Sequence, residues 1–467
     1  MDRKVLKEMI EPMHGKLLKG AMNQTATGIS IDSRTAKEGD VFFALKGSTV
    51  DAHRFLPGAY ERGCRIMVVS DPQAAQMVPD DAAVVLVADT RNAMQDLARW
   101  YMESLDIRKV AVTGSVGKTT TRDMIYSAVS LKYTAGTCRN NYNNLIGLPF
   151  AILELTGSMQ VAVLEMGLET TIDEAHQIHK LAGLVNPDVA VITNIGVSHI
   201  EHYGSRENLL KEKMAITDFF GPENVLVINA DDDMLATIDP LKVPFRIVRA
   251  GQSEDADFRA SDIQDLGTKG VRFNLSCNQG SFPIRLSVPG AHNAVNAAIA
   301  AAAATVMGVS MEDIIAGLSQ LEITGNRLRL MTIGDILVIN DSYNAAPSSM
   351  ESALTTLAKS EGKRKVAILG GMNELGANSD EAHRNVGCIA ADTGVGLLIT
   401  IGEKGRLIAE GAASVGVPGL EILQVERKED LYPRLKELFR AGDTVLIKAS
   451  RTIGLEDVAE EMERVLG

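Results

Sequence analysis

Cysteine is scarce and unorganised in this chain. Its four cysteines, Cys64, Cys138, Cys277 and Cys388, show no CxxC spacing, so neither a disulfide framework nor a zinc site is expected, which suits a reducing compartment. Basic charge is lacking as well: 47 Lys and Arg stand against 60 Asp and Glu, a net charge of −13. That balance argues against a nucleic-acid surface as the main partner. Long apolar runs are missing. The longest, AAIAAAAATVMGV from Ala297 to Val309, falls short of the roughly 20 residues that span a bilayer, and it reads as a buried, closely packed helix. The first residues, MDRKVLKEMIEPMHGK, contain no apolar stretch leading to a small-residue cleavage site. A cytoplasmic protein without integral membrane contact is expected.

What is present is globular: 467 residues, 45% hydrophobic and 23% charged, without a low-complexity tract. The length is too great for one core and implies several domains. Residues 1–105 carry short strand-like pieces such as DVFFAL and CRIMVVS between Gly, Pro and Asp turns. From about residue 106 to 324 the texture becomes strand, loop, helix, repeated, and 325–467 repeats it again. Strands alternating with helices imply an α/β fold whose parallel sheets are covered on both faces.

Eight apolar runs read as buried strands: VAVTG, VAVLEMG, DVAVITNIG and NVLVINAD, then ILVINDSYN, KVAILGGMN, GLLITIGEKG and DTVLIKASR. Each ends in glycine and polar residues. Open α/β sheets bind ligands outside the carboxyl ends of their strands, so these ends are the expected functional positions.

The first of them carries chemistry. In VAVTGSVGKTTTRDM, from Val110 to Met124, a glycine loop follows a predicted strand and opens a predicted helix, the context that a phosphate cradle demands. Gly114 and Gly117 let the backbone curl around anionic oxygens, with Ser115 and Val116 between them. Lys118 suits the outer phosphates, and Thr119 or Thr120 offers a hydroxyl to Mg²⁺. The usual cradle has a glycine where Val112 stands. Glu165 and His199, at the ends of two neighbouring runs, suggest a magnesium pair, although imidazole is an unusual magnesium ligand. Lys213, in what reads as an amphipathic helix with Leu209, Leu210, Met214 and Phe219, is on the residues alone a solvated lysine. Asn293 and Asn296 lie on one helix face, suited equally to an adenine edge or to capping the helix. Arg327 sits at the junction before the last region, where a cation can reach a transferring phosphoryl group.

Taken together, the motifs ISIDSR with GDVFFALKG, TGSVGKTTT, NNYNNLIGLP, LEMG, NPDVAVITNIGVSHIEHYGS, PGAHNAVNAA, NDSYNAAPSSM, LGGMNELG and KASR resemble the Mur ligase family of ATP-dependent acid–amino acid ligases across nearly the whole chain. NDSYNA, HIEHYGS and GMNELG, with Ser379 and His383 following, resemble most the members that add D-alanyl-D-alanine to a UDP-N-acetylmuramoyl-tripeptide. The resemblance implies three domains. They are a small α+β domain for the UDP-muramoyl substrate (1–105), a central P-loop-type, mostly parallel-sheet domain for ATP (106–324), and a Rossmann-like α/β domain for the incoming amine (325–467).

The resemblance also implies roles. Lys118 and Thr119 hold ATP phosphates and Mg²⁺; Glu165 and His199 bind a second Mg²⁺; Lys213 matches a lysine that CO₂ converts to a carbamate. Asn293 and Asn296 fall on the adenine side, and Arg327, Asp341, Tyr343 and Asn344 on ribose and phosphate. Ser33, Arg34, Asp51 and His53 resemble the uridine end, and Asn141, Asn143 and Asn144 the loop that holds the muramoyl peptide. The family loop lacks the early glycine, which accounts for Val112. Val116, Leu145, Ala346, Ala52 and Ala215 depart from the common pattern. A monomer is expected. A different amine specificity, or a nucleotide-binding module without activity, are the alternatives.

Overall fold

The structure is a computed structural model and describes residues 1–47, 50–138, 141–169 and 175–467; Asn140, which opens the NNYNNLIGLP motif, lies outside them. The chain forms two compact units. One comprises Met1–Ala111, Tyr133–Ala190 and Met214–Asn224, the other Val112–Lys132, Val191–Lys213 and Val225–Gly467.

The first unit begins with a five-stranded sheet in the order Lys16–Lys19, Ala83–Leu86, Ile66–Val69, Asp40–Phe43, Gly28–Ser30. All pairs are parallel except the first. Phe42, Met67, Val69 and Val84 pack on Leu56 and Ala59, which is why DVFFAL and CRIMVVS read as near-continuous apolar runs. Asp89 caps the helix Thr90–Glu103 by accepting the Asn92 N–H at 2.8 Å, a standard way to satisfy an orphan helix donor.

A nine-stranded sheet has the order Gly280–Leu286, Val271–Cys277, Phe258–Asp265, Arg246–Gly251, Val225–Asn229, Val189–Ile192, Arg108–Thr113, Val161–Glu165, Ala135–Thr137. Strands 108–113 and 189–192 run side by side. The Asp188 N–H donates to Lys109 O at their start, and the Thr193 N–H to Thr113 O at their end. The expected alternation of strand and helix breaks at Phe258: strands 258–265, 271–277 and 280–286 pair antiparallel. The reason is spacing, since the connections after Asp265 and Cys277 are far too short for the dozen or more residues of a parallel crossover.

The last part of the second unit is a six-stranded sheet in the order Arg329–Ile333, Ile336–Asn340, Asp443–Lys448, Arg364–Leu369, Leu397–Ile401, Glu421–Val425, parallel but for its first hairpin. Val338, Ile368 and Val445 point to one core with Val458 and Met462; Ile339, Ala367 and Leu446 point to another with Met350, Leu354 and Val386. A sheet buried on both faces is what its unbroken apolar strands require.

The alanine-rich run is the helix His292–Val306, with eleven residues buried from Asn293 to Ala304. All eight strand-like runs form strands, each ending where glycine and polar residues begin. Among the described residues no helix is long and apolar enough to cross a membrane.

Candidate functional site

The glycine loop joins strand Arg108–Thr113 to the helix Lys118–Val129. Gly114 has φ +145° and Gly117 φ +84°, values that side-chain-bearing residues rarely adopt. The loop is braced from the neighbouring strand end. Ser115 N–H donates to Asn194 O at 2.9 Å and Val116 N–H to Asn194 Oδ1 at 3.0 Å, while Val116 O accepts from Thr193 Oγ1 at 2.6 Å and Asn194 Nδ2 at 2.8 Å. Gly196 N–H donates to Ser115 Oγ. Val116 thus contributes its backbone to the brace, and that contribution does not depend on its side chain. Thr119 is buried and Thr120 half-buried in the first turn of the helix, whose N-terminal donors and positive dipole end favour an anion. A Cβ at Gly114 would lie 2.0 Å from Thr193 Oγ1. Gly114→Ala is therefore expected to destabilise the protein by about 2–4 kcal/mol, from backbone strain plus overpacking, and to abolish binding of a fluorescent ATP analogue. A wild-type denaturation midpoint would refute the tight approach.

Two lysines converge on one carbonyl of this loop. Gly114 O accepts from Lys118 Nζ at 2.9 Å and from Lys213 Nζ at 3.0 Å; Lys118 also donates to Ser115 O at 3.1 Å. Lys213 lies on the helix Arg206–Met214 and is only 1% exposed. The solvated-lysine reading is thereby corrected. The helix ends at Met214, Phe219 lies beyond it and is exposed, and the buried side is Leu209, Glu212 and Lys213. Two of those three are charged types, which apolar periodicity cannot flag. Burial, and then the Lys118 charge, hold the Lys213 ammonium well below its ordinary pKa, with Glu212 opposing weakly. Its surroundings thus favour the free amine over the ammonium.

His199 stands beside these lysines, at φ +66°. Burial lowers its pKa; the carboxylate of Glu374 raises it in part, and the Lys118 and Lys213 charges lower it further. Its Nδ1 pairs with Glu374. Sequence reasoning assigned Glu374 no role, and its position in GMNELG, beyond a strand end, was the available signal. His199 follows strand Val189–Ile192 and Glu374 follows strand Arg364–Leu369.

At the junction, Arg327 stacks on the Tyr343 ring, 4.0 Å from guanidinium carbon to ring centre, and its Nε is buried with no hydrogen-bond partner. Arg451 approaches the same ring at 5.1 Å. Asp341 accepts from Leu328 N–H and, at 2.5 Å, from Lys448 Nζ, which also donates to Asn344 O at 2.9 Å. Lys448, at a strand end the sequence marked without giving it a role, is 2% exposed. Lys448→Met leaves Asp341 buried and uncompensated, with an expected loss of about 3–5 kcal/mol. An unchanged urea midpoint would exclude that role.

Asn293 and Asn296 are buried and bonded to each other, Asn296 Nδ2 to Asn293 Oδ1 at 2.9 Å, while Asn293 Nδ2 donates to Pro289 O at 2.6 Å. Asn296 Oδ1 lies against Gly117, at 3.1 Å from where a Cβ would stand. The helix of the glycine loop carries one more tie. Asp123, paired with the fully buried Arg122 at 2.5 Å, accepts the Thr324 N–H at 2.7 Å.

The remaining expected residues belong to the first unit. Glu165 is buried, and its Oε1 accepts from Asn143 Nδ2 at 2.7 Å. Asn141 O accepts the Asn143 N–H. Asn144 Oδ1 accepts from Ile146 and Gly147 N–H at the start of the helix Gly147–Leu153, and its Nδ2 donates to Glu169. Asp51 caps the turn Ala52–Phe55 and takes His53 Nδ1 at 2.6 Å; His53 Nε2 accepts the Ser70 N–H at 2.9 Å. Ser33 sits in the turn after strand Gly28–Ser30, and the exposed Arg34 is paired with Asp32. Among the described residues, no three His, Cys, Asp or Glu side chains cluster as a ready-made metal cage.

Comparison with known proteins follows the same layout. The sequence model of the Mur ligase family catalytic domain matches residues 25–101, that of the Mur ligase middle domain 112–304, and that of the glutamate ligase domain 326–451. The UDP-N-acetylmuramoyl-tripeptide–D-alanyl-D-alanine ligase of Bacillus subtilis (strain 168) is 34% identical, covering 99% of both chains. That of Escherichia coli (strain K12) is 32% identical over 98% of both. MurF from Acinetobacter baumannii superposes with a TM-score of 0.87 at 31% identity and 99% coverage of each chain. MurF ligase from Thermotoga maritima, in complex with ADP, gives 0.78 at 26% identity, covering 94% of this chain and 97% of its own.

Proposed function

The chain belongs to the Mur ligase family, and from that premise we infer an ATP-dependent ligase that joins D-alanyl-D-alanine to a UDP-N-acetylmuramoyl-tripeptide, giving the pentapeptide precursor of peptidoglycan. The observation that carries the chemistry is the convergence of Lys118 and Lys213 on the Gly114 carbonyl beside His199.

A carboxylate does not exchange its oxygen for an amine in water, because oxide is a poor leaving group. The terminal carboxylate of the tripeptide therefore attacks the γ-phosphorus of ATP, giving an acyl phosphate and ADP. The dipeptide amine then attacks the acyl carbon, the carbon–oxygen bond to phosphate breaks, and the amide is formed as the amine loses its proton. Lys118 and the helix N-terminus behind it stabilise the charge on the transferring group, and Arg327 approaches from the junction. Alignment is the remaining contribution.

The residues present suit magnesium, because the Thr119 hydroxyl and the Glu165 carboxylate are hard oxygen donors. We assign Thr119, Glu165, His199 and a carbamate on Lys213 to two Mg²⁺ ions, which when bound neutralise phosphate charge. The lowered pKa of Lys213 supports the carbamate, since only the free amine adds CO₂; the product is an oxygen anion in place of a cation that would repel a metal. The resemblance assigns Gly114 to Thr120, Asn293, Asn296, Asp341, Tyr343 and Asn344 to ATP. It gives Ser33, Arg34, Asp51 and His53 to the uridine nucleotide, and Asn141, Asn143 and Asn144 to the muramoyl peptide. The three matched family domains support the division 1–105, 106–324 and 325–467. A cytoplasmic monomer completes the reading.

Phosphate release is the test, measured with D-alanyl-D-alanine and each tripeptide acceptor carrying lysine or diaminopimelate at its third position. Release that requires both acceptor and dipeptide is expected. Release with another amino acid, and none with the dipeptide, would overturn the assignment.

A further inference from the structure

We propose that the outer face of the antiparallel ribbon, at Arg272 and Arg285, binds a small phosphate-bearing anion, either free phosphate or a phosphate monoester. The site is additional to the glycine loop and does not depend on the ligase reading.

Strands Val271–Cys277 and Gly280–Leu286 turn alternate residues inward, and Val271, Phe273, Leu275, Ile284 and Leu286 are buried. The residues between them face outward, and the register sets their neighbours. Arg272 stands directly opposite Arg285 on the edge strand, and opposite Gln264 on its other side. Both arginines are exposed. Directly opposite residues share a face, with Cβ atoms about 5 Å apart, and like charges placed so destabilise a sheet. Among the described residues, neither guanidinium has a hydrogen bond, an ion pair or a ring beneath it. The third arginine of this face is served differently. Arg259 Nε donates to Gln252 O at 3.1 Å, and its guanidinium lies 3.8 Å from Glu254.

A carboxylate is at hand but engaged elsewhere. The register shifts between Ser261 and Gln264, which leaves Asp262 at φ +53°. Its Oδ2 accepts from Asn274 Nδ2 at 2.9 Å and from Ser261 Oγ at 3.3 Å. The row Gln264, Arg272, Arg285 lines a concavity of about 390 Å³, together with Asp262, Asn274 and Pro283. That is the size of a small-molecule site. A tetrahedral dianion held between two guanidinium forks gains charge-assisted hydrogen bonds from both and cancels their repulsion. Two features narrow the class. Pro283 lies on the edge strand, where its missing N–H opposes the addition of a peptide strand. The ring of Phe273 is buried on the other face, so it offers no platform on which a nucleotide base could stack.

Phenylglyoxal modification of the full-length enzyme, read arginine by arginine by peptide mass spectrometry, is the test. In buffer otherwise free of phosphate, about 10 mM inorganic phosphate should slow modification of Arg272 and Arg285 by about tenfold, as a Kd on the order of 1 mM requires. The exposed Arg3 should react unchanged. A hexose 6-phosphate is the second arm, and the tighter protector tells free anion from ester. Arg285→Gln should abolish the protection at Arg272, because one anion is shared between them, and Arg285→Lys should keep part of it. Absence of protection by both compounds, or equal protection by chloride at the same ionic strength, would overturn the proposal. So would undiminished protection of Arg272 in Arg285→Gln.

Discussion

Replacing Lys118 by alanine is expected to lower ADP release by about 10³-fold, the size of effect seen when one preorganised charge donor is removed from a reacting centre. That corresponds to about 4 kcal/mol of transition-state stabilisation. The expectation follows from the position of Nζ, held on Gly114 O and Ser115 O at the mouth of the loop and not packed in a core. Its removal should cost little fold stability, so the loss belongs to chemistry and nucleotide binding. The check is coupled ADP release at saturating acceptor and dipeptide, beside a thermal melt. Turnover within a few-fold of wild type would sink the phosphate-loop assignment, however well the loop matches in sequence.

The second large effect concerns Lys213. The intact protein, ionised gently, should carry a mass increment matching one CO₂, lost in Lys213→Ala. That variant is expected to fall in activity by roughly 10²–10³-fold and to regain part of it with acetate or propionate, which can enter the space left by the buried stem and restore an anionic oxygen. The pH sign follows from the chemistry: amine plus CO₂ gives carbamate plus one proton, so at a fixed partial pressure of CO₂ the reactivation of CO₂-depleted enzyme is more complete as pH rises. The lowered pKa supplies the reactive amine. A full mass spectrum without the increment, in enzyme that turns over, would remove the carbamate from the mechanism.

The strands and the glycine loop were legible because both are local. Runs such as VAVTG and KVAILGG announce a buried strand and its end within five to seven residues, and GKT after a strand announces the cradle. Lys213 was not legible. Its burial depends on Gly114, distant in the chain, and a helix whose inward face holds Glu212 and Lys213 looks solvated from sequence. Glu374 was hidden for a related reason, since a left-handed residue reaching across to His199 leaves no periodic trace. The antiparallel ribbon from Phe258 to Leu286 was legible in principle, its connections being too short for helices. Asn293 and Asn296, left between adenine contact and cap, turn out bonded to each other behind Gly117.

The helix Lys118–Val129 has a consequence for how the molecule can be cut and rejoined. Its first residue faces the phosphate loop, and its sixth, Asp123, grips Thr324. At 1.5 Å per residue those two duties lie about 7.5 Å apart on one stiff rod. The connector to the last 140 or so residues is thus surveyed from the same bench-mark as the nucleotide loop. Parts exchanged between relatives keep that survey only when the seam falls after Thr324; a seam before it would hang the incoming piece from an unfixed peg.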